Sequence, residues 1–393
     1  MTKYYHIIAK MLSPLMIQKK RQTGTPQTLE YLPGSTLKGA LAAAFLRSGG
    51  SPSSLEFKRL FLEKPVHFCD LLPTRDAACI SSVLPKTAVS CKREPGFDKH
   101  GVFDTLADTA ACRMENVPPD QLTWACPHIG CGEDMKPFGG FWNGSLEAPE
   151  KIDPGLVVNR HTGIDRVTGT VANGMFYITQ AMADYYKDDD AHDARYHPQF
   201  LNGGVYLDAQ QADFLASLTQ NTIFAGADRS RGFGELSLTI EPVINQDAVI
   251  PSSKAMDKWS RIFKKRLKRR MTTPPPPGFY FSVNLASHAV LLDRFLRPVS
   301  DIDALNFPDI NEVTRVAGAE TVNGWHSAMG LARPDDVATA MGSVYLFCYT
   351  GENMDKLTSL LRELVITGIG LRRDQGYGRI SVCDPLHILK EDI

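Results

Sequence analysis

The sequence has no apolar run approaching the roughly 20 residues that a membrane-spanning helix requires. Its start, MTKYYHIIAK, lacks a charged stretch followed by an apolar one, so no secretory leader is read there and a cytoplasmic location is expected. Neither sign of charge predominates: 43 Lys and Arg against 44 Asp and Glu give a formal net charge of −1. That excludes a protein that coats duplex nucleic acid through overall basicity, and any nucleic-acid site must be a local patch. Two nucleotide-binding patterns are also missing. A Rossmann fingerprint runs strand, glycines, helix, whereas the glycine-rich loops here follow helical patterns. Gly34 and Gly39 have the spacing of a phosphate-binding loop, but Ala40 and Leu41 stand where a lysine and a hydroxyl residue are required.

What is present is ordinary globular material, 43% hydrophobic and 22% charged in 393 residues, enough for two or three domains. Residues 4–11 read as a strand. Pro33-Gly34 marks a turn, and Ser35 is placed as the N-cap of a helix with its apolar stripe on Leu37, Leu41, Ala44 and Phe45. From about 62 to 155 helical periodicity is weak, Pro and Gly are frequent, and six of the eight cysteines occur, so this stretch reads as an insertion. Nine Lys and Arg against one acid, Asp257, fill 254–270, and four prolines follow at 274–277. Consecutive prolines fit neither helix nor central strand. The expected division is therefore an N-terminal domain over 1–250, a basic and proline-rich linker over 251–277, and a C-terminal domain over 278–393. As a helix the basic run would gather Trp259, Ile262, Phe263 and Leu267 on one side. Its cations could then lie along RNA or an acidic partner, or simply be solvated.

Two loops repeat each other. In GADRSRGFG (226–234) and GLRRDQGYG (370–378), Gly226 falls on Gly370, Arg229 on Arg373, Gly232 on Gly376, Phe233 on Tyr377 and Gly234 on Gly378. Each follows a helical pattern and leads into a strand pattern, which argues for two copies of one α/β unit. Glycines permit positive φ, successive loop N–H groups can cradle an anion, and an arginine adds a bidentate phosphate contact. The combination suits a sugar-phosphate chain; a tight turn that needs glycine for geometry alone is the competing reading. Lys38 adds a related signal. With Ser35 as N-cap it opposes the helix dipole at about 0.3–1 kcal/mol, and an anion docked on Ser35, Thr36 and Lys38 would reverse that sign.

Clustered cysteines in a reducing compartment read as metal ligands before disulfides. Cys91, Cys112, Cys126 and Cys131 lie in the insertion, and Cys126-Pro-His-Ile-Gly-Cys131 has a knuckle-like spacing. They are the expected ligands of a structural zinc ion, with His128 as a substitute ligand and His67, Cys69 and Cys79 as further candidates. Buried free cysteines are the alternative. Cys348 and Cys383 read as core residues of strands.

Taken in order, LPGSTLKGAL and the R-x-x-G-F-G and R-x-x-G-Y-G loops resemble the RAMP superfamily of CRISPR proteins. VLPKTAVSCKREPGFDKHGVFDTL and ACPHIGCGEDMKPFGGFW resemble the cysteine-bearing insert of the type III-D RAMP subunit, NRHTGIDRVTGTVANGMFYITQAM a segment of type III backbone subunits, and TVNGWHSAMGLARP a segment of capping subunits, with Ala332 where proline is usual. The resemblance implies an α+β protein of two tandem ferredoxin-like (RRM-type) domains, the first carrying the cysteine-rich insertion and a thumb-like hairpin over 156–180. It implies a guide-RNA-binding subunit that holds the 5′ repeat-derived tag, contacts the large subunit and the first backbone subunit, and meets target RNA only indirectly. Carried over, Ser35, Thr36, Lys38, Arg160, Arg166, Thr168, Arg229, Arg231, Gly232, Phe233, Gly234, Arg373, Gly376, Tyr377 and Gly378 would face RNA, with Phe176 and Tyr177 as further aromatics. An endoribonuclease is the alternative. His6, His100, His161 and His326 are available as acid or base, and Asp104, Asp165 and Asp228 for target cleavage, but no spacing among them demands catalysis. Asp165 is expected to pair with Arg160 or Arg166.

Overall fold

The computed structural model describes residues 2–19, 27–63, 66–118, 122–187, 195–243, 252–326 and 329–389. The chain divides into two compact units. The first comprises Met1–Ser81, Ile152–Val243 and Asn323–Pro334. Its sheet has the order Ile223–Phe224, Glu235–Pro242, Lys3–Met11, Phe200–Leu207, Leu72–Thr74. Lys3–Met11 is central and antiparallel to both neighbours, with Ile7 opposite Gly203 on one side and Ile240 on the other. Helices Gly34–Arg47 and Ala209–Leu218 follow the first and third strands of this sheet in chain order. Leu37, Leu41, Leu215 and Leu218 share one core with Ile7, Val205 and Leu236. Asp208 starts the second helix as a capping box, accepting from Gln211 N at 2.8 Å while Gln211 Oε1 accepts from Asp208 N at 3.0 Å.

The first helix begins two residues earlier than its sequence suggests. Pro33 is the N-cap and offers no side-chain bond. Asp70 supplies the missing acceptor, taking the Gly34 N–H at 2.8 Å. Ser35 is therefore inside the first turn rather than at the cap.

The second unit comprises Ser82–Lys151, Ile244–Val322 and Asp335–Ile393. Its sheet order is Ile310–Val316, Val344–Tyr349, Phe279–Leu285, Ile380–Val382, all antiparallel. Both sheets thus place the last strand beside the first and the third beside the second. Among the described residues, only the short 3-10 turn Asp303–Leu305 falls between Phe279–Leu285 and Ile310–Val316, where the first unit has its first helix. Two other helices enter this core instead: Leu106–Met114 through Leu106, Ala107, Ala110 and Ala111, and Ser253–Arg270 through Trp259, Phe263 and Leu267. Burying a side chain such as Phe263 or Leu267 is worth about 1.5–3 kcal/mol. This explains two departures from the sequence-based division. Most of the cysteine-bearing stretch packs with the C-terminal half of the chain, and the basic run is a core helix rather than part of a linker.

Polar contacts fasten these pieces. Trp259 Nε1 donates to Asp384 O at 2.9 Å, and Arg266 Nη1 to His387 O at 2.6 Å. The buried His387 Nδ1 lies 3.0 Å from Asp104 Oδ2, and its other face meets the Asn284 amide. Thr87 donates to the other Asp104 oxygen. Arg270 Nε donates to Asp108 at 2.9 Å. No helix among the described residues is long and apolar enough to cross a membrane.

Candidate functional site

The two glycine loops have one backbone conformation. Asp228 and Arg372 are left-handed at φ 53° and 56°, a 3-10 turn follows in each, and Gly232 and Gly376 are left-handed at 88° and 95°. The hydrogen bonds repeat as well. Ala227 N donates to Met16 O and Leu371 N to Val290 O; Gly234 N donates to Pro14 O and Gly378 N to His288 O, all at 2.8–2.9 Å. A Cβ on Gly234 would sit 1.9 Å from Ala225 O, and one on Gly378 1.8 Å from Ile369 O. These glycines are demanded by the turn itself, as the geometric reading held. The arginines are not: Arg229, Arg231 and Arg373 are exposed. Arg231 reaches back to Asp228 at 3.4 Å, and Arg372 pairs with Asp336.

Phe233 is a correction to the expected RNA contacts. It is 8% exposed and packs with Met16 and Ala181, so it offers no free ring face. The loop's hydrogen bonds turn it inward. Tyr377 is half-buried against Val290, Val322 and Ala338, and Gly234, Gly376 and Gly378 are buried. At the first helix, Ser35, Thr36 and Lys38 are half-buried, and the Asp70 carboxylate already holds the leading N–H group. The N-terminus is neutralised from within the protein, against the expectation of an empty anion site there.

Strands Leu156–Ile164 and Val171–Met182 form an antiparallel two-stranded ribbon, with Tyr177 opposite His161 and Ile178 opposite Arg160. Its end is shaped by Asp165, whose Oδ1 accepts from Val167 N and Thr168 N at 2.8 and 2.9 Å. The Thr168 and Val167 amides hold the Asp165 carboxyl below the usual range. Asp165 thus bonds to the backbone of its own turn rather than to Arg160 or Arg166 as expected; a tight turn presents N–H groups closer than either guanidinium. Arg160, Arg166, Thr168, Phe176 and Tyr177 are exposed, and His161 stacks on Tyr177 at 4.6 Å. In the segment 321–334, residues 327–328 lie outside the described residues, and Trp325–His326 pairs with Leu331–Ala332.

The cysteines resolve into a compact centre. Cys91, His100, Cys126 and Cys131 bring one ligand atom each within 4.8 Å of one another. Cys91 Sγ lies 3.7 Å from Cys131 Sγ, and Cys126 Sγ 3.4 Å from His100 Nδ1. A tetrahedral ion at ~2.3 Å from each sulfur would set the sulfurs about 3.8 Å apart, so the donor set fits. Burial pushes the Cys91 thiol up, but the Glu94 and Arg93 amides and its contacts with His100 and Cys131 outweigh this and bring it down to about 6. Burial pushes Cys126 up to about 11. Cys112 is not in the centre. It sits on the helix Leu106–Met114, which packs into the core of the second unit. His100 takes the place that sequence spacing gave to Cys112. Cys69 accepts from Gly204 N at 2.8 Å and, with His67 and Cys79, lies in the first unit. Cys348 and Cys383 are buried.

The description "RAMP superfamily" belongs to the family model that matches residues 8–237. The chain belongs to the RAMP superfamily. No curated protein matches it. Among solved structures, this RAMP protein is similar to a chain of the type III-B Cmr-beta bound to cognate target RNA and AMPPnP, at 11% identity and a TM-score of 0.42, covering 87% of this chain and 86% of that one. It is also similar to a chain of the Csm3-Csm4 subcomplex in the type III-A CRISPR-Cas interference complex, at 10% identity and a TM-score of 0.36, covering 90% and 96%.

Proposed function

We propose that this RAMP protein is a non-catalytic guide-RNA-binding subunit of a type III CRISPR ribonucleoprotein, built from two ferredoxin-like units and holding the 5′ repeat-derived tag. The observation that carries the reading is the pair of loops with one hydrogen-bond pattern and an outward arginine at the same place, Arg229 in one and Arg373 in the other. Backbone contacts of this kind, joined by exposed aromatics such as Phe176 and Tyr177, are how single-stranded RNA is commonly held. The sequence motifs point to the type III-D member of the superfamily, with the large subunit and the first backbone subunit as neighbours.

Each acid considered for cleavage has structural work. Asp104 is buried against His387, Asp165 closes its own turn, and Asp228 pairs with Arg231. His100 belongs to the thiol cluster. This favours binding over the endoribonuclease alternative. For the cluster we propose a closed structural zinc site held by Cys91, His100, Cys126 and Cys131, because three thiolates and an imidazole leave no open position for substrate.

The test is a 5′-labelled guide RNA incubated with the purified chain, following binding and cleavage together, wild type beside Arg229→Ala/Arg373→Ala. The expected result is binding without products and at least a tenfold weaker complex in the double variant. Defined metal-independent products would replace this reading with a processing nuclease, and unchanged affinity would remove the loops from the interface.

A further inference from the structure

The helix Ser253–Arg270 divides its cations by role. Arg266 is buried and bonded to His387 O, and Arg270 is tied to Asp108. Lys254, Lys258, Arg261, Lys265 and Lys268 are all exposed. Their spacing is i, i+4, i+7, i+11, i+14, which places all five on one stripe of an α-helix. The stripe runs about 21 Å, with neighbouring cations separated by about 4.5–6 Å of axial rise. Among the described residues none of the five forms an ion pair. Arg261 only donates to Asp257 O on its own helix, at 3.3 Å. The opposite face is fixed in the core through Met256, Trp259, Phe263 and Leu267, so the row is rigidly mounted.

We infer that this stripe is a sequence-independent track for the sugar-phosphate backbone of RNA, in addition to the loops of the proposed function. Three features select RNA over an acidic protein. The charges recur evenly, as phosphates do. Asp257 is the sole acid on the helix. No large apolar or aromatic side chain is exposed among them, whereas a protein interface needs an apolar centre depleted of charge. With no ring to stack on, the track senses phosphates and not bases. It also reconciles a chain of net charge −1 with RNA binding, since charge is concentrated on one helix face. The inference holds for any RNA strand and does not rest on the guide-tag reading.

The experiment measures binding of the full chain to labelled 20-nucleotide oligo(U), oligo(A) and a 20-base-pair RNA duplex from 50 to 300 mM salt. Wild type is compared with Lys258→Ala/Arg261→Ala/Lys265→Ala and with Lys258→Arg/Lys265→Arg. Each lost phosphate contact lowers the slope of log K against log salt by about 0.7 on a single strand and about 0.9 on a duplex. The alanine variant should therefore lose about 2 from the single-strand slope, or about 2.7 from the duplex slope if the track takes duplex. Oligo(U) and oligo(A) should be affected alike, and the arginine variant should retain the wild-type slope. An unchanged slope in the alanine variant, or no wild-type binding at 50 mM salt, overturns the inference. So does an unchanged RNA slope with lost binding to polyglutamate, which would assign the stripe to an acidic protein. Loss of tagged guide RNA in Arg229→Ala/Arg373→Ala with an unchanged slope in the stripe variant would sink the track alone and leave the proposed function standing.

Discussion

Replacing His100 with alanine separates the thiol-imidazole centre seen in the structure from the four-cysteine set suggested by spacing. The local apolar cluster is small: Val89, Cys91, Cys126 and Met135, with Phe103, Trp124 and Cys131 partly buried against it. The proposed metal would therefore contribute to folding there. Changes to groups that merely support a ligand cost 10–100-fold in affinity; losing a ligand should cost at least the upper end. At saturating metal a 100-fold loss takes about 2.7 kcal/mol from the folded state. For the second unit, about 200 residues, each kcal/mol moves Tm by about 2–4 °C, so His100→Ala should melt about 5–11 °C lower. The assay is metal content by mass spectrometry with thermal melts before and after chelator, for wild type, His100→Ala and Cys112→Ser. Wild type and Cys112→Ser should carry one zinc and lose stability to chelator. His100→Ala keeping its metal and Tm, or Cys112→Ser losing both, would refute the assignment.

The glycine loops, the buried histidine and the first helix give further tests. Gly234→Ala and Gly378→Ala should each destabilise by ~3 kcal/mol or more, since the new Cβ meets a carbonyl oxygen below 2 Å. Gly232→Ala, with nothing near its Cβ, should lose only the ~1–2 kcal/mol of a left-handed residue; equal losses by denaturant titration would contradict the geometry. Burial lowers the His387 pKa, but Asp104 outweighs it and the net shift is upward. Its stabilisation is thus fully present below the unfolded value of about 6.5 and fades as pH rises through the folded value. Unfolding midpoints should fall from pH 6 to 8.5 in wild type and less in His387→Gln; parallel profiles would exclude this origin. Asp70→Ala should lower stability by about 1 kcal/mol through the orphaned Gly34 N–H, and a neutral result would mean that water replaces the cap.

Local pattern determined much of this. The apolar stripe of Gly34–Arg47, the strand Lys3–Met11 and the paired glycine loops were legible because strand alternation, helical spacing and left-handed glycine positions act over a few residues. The outward cations of 254–270 were legible for the same reason, as was the half-knuckle Cys126–Cys131. Tertiary structure decided what lies far apart in the chain. His100 joined the candidate ligand set because the strand Ala88–Cys91 pairs with Val102–Asp104 and Met135–Pro137, which brings residues 100 and 126–131 to the end of Cys91. Asp70 reached Gly34 across 36 residues, and Asp104 reached His387 across a still longer separation. The cysteine-bearing stretch joined the second unit because Leu106–Met114 packs into a core that has no helix of its own after Phe279–Leu285 among the described residues. Sequence spacing carries the repeat of one element; it carries no distance between elements, and that distance chose the fourth candidate ligand and turned Phe233 into the core.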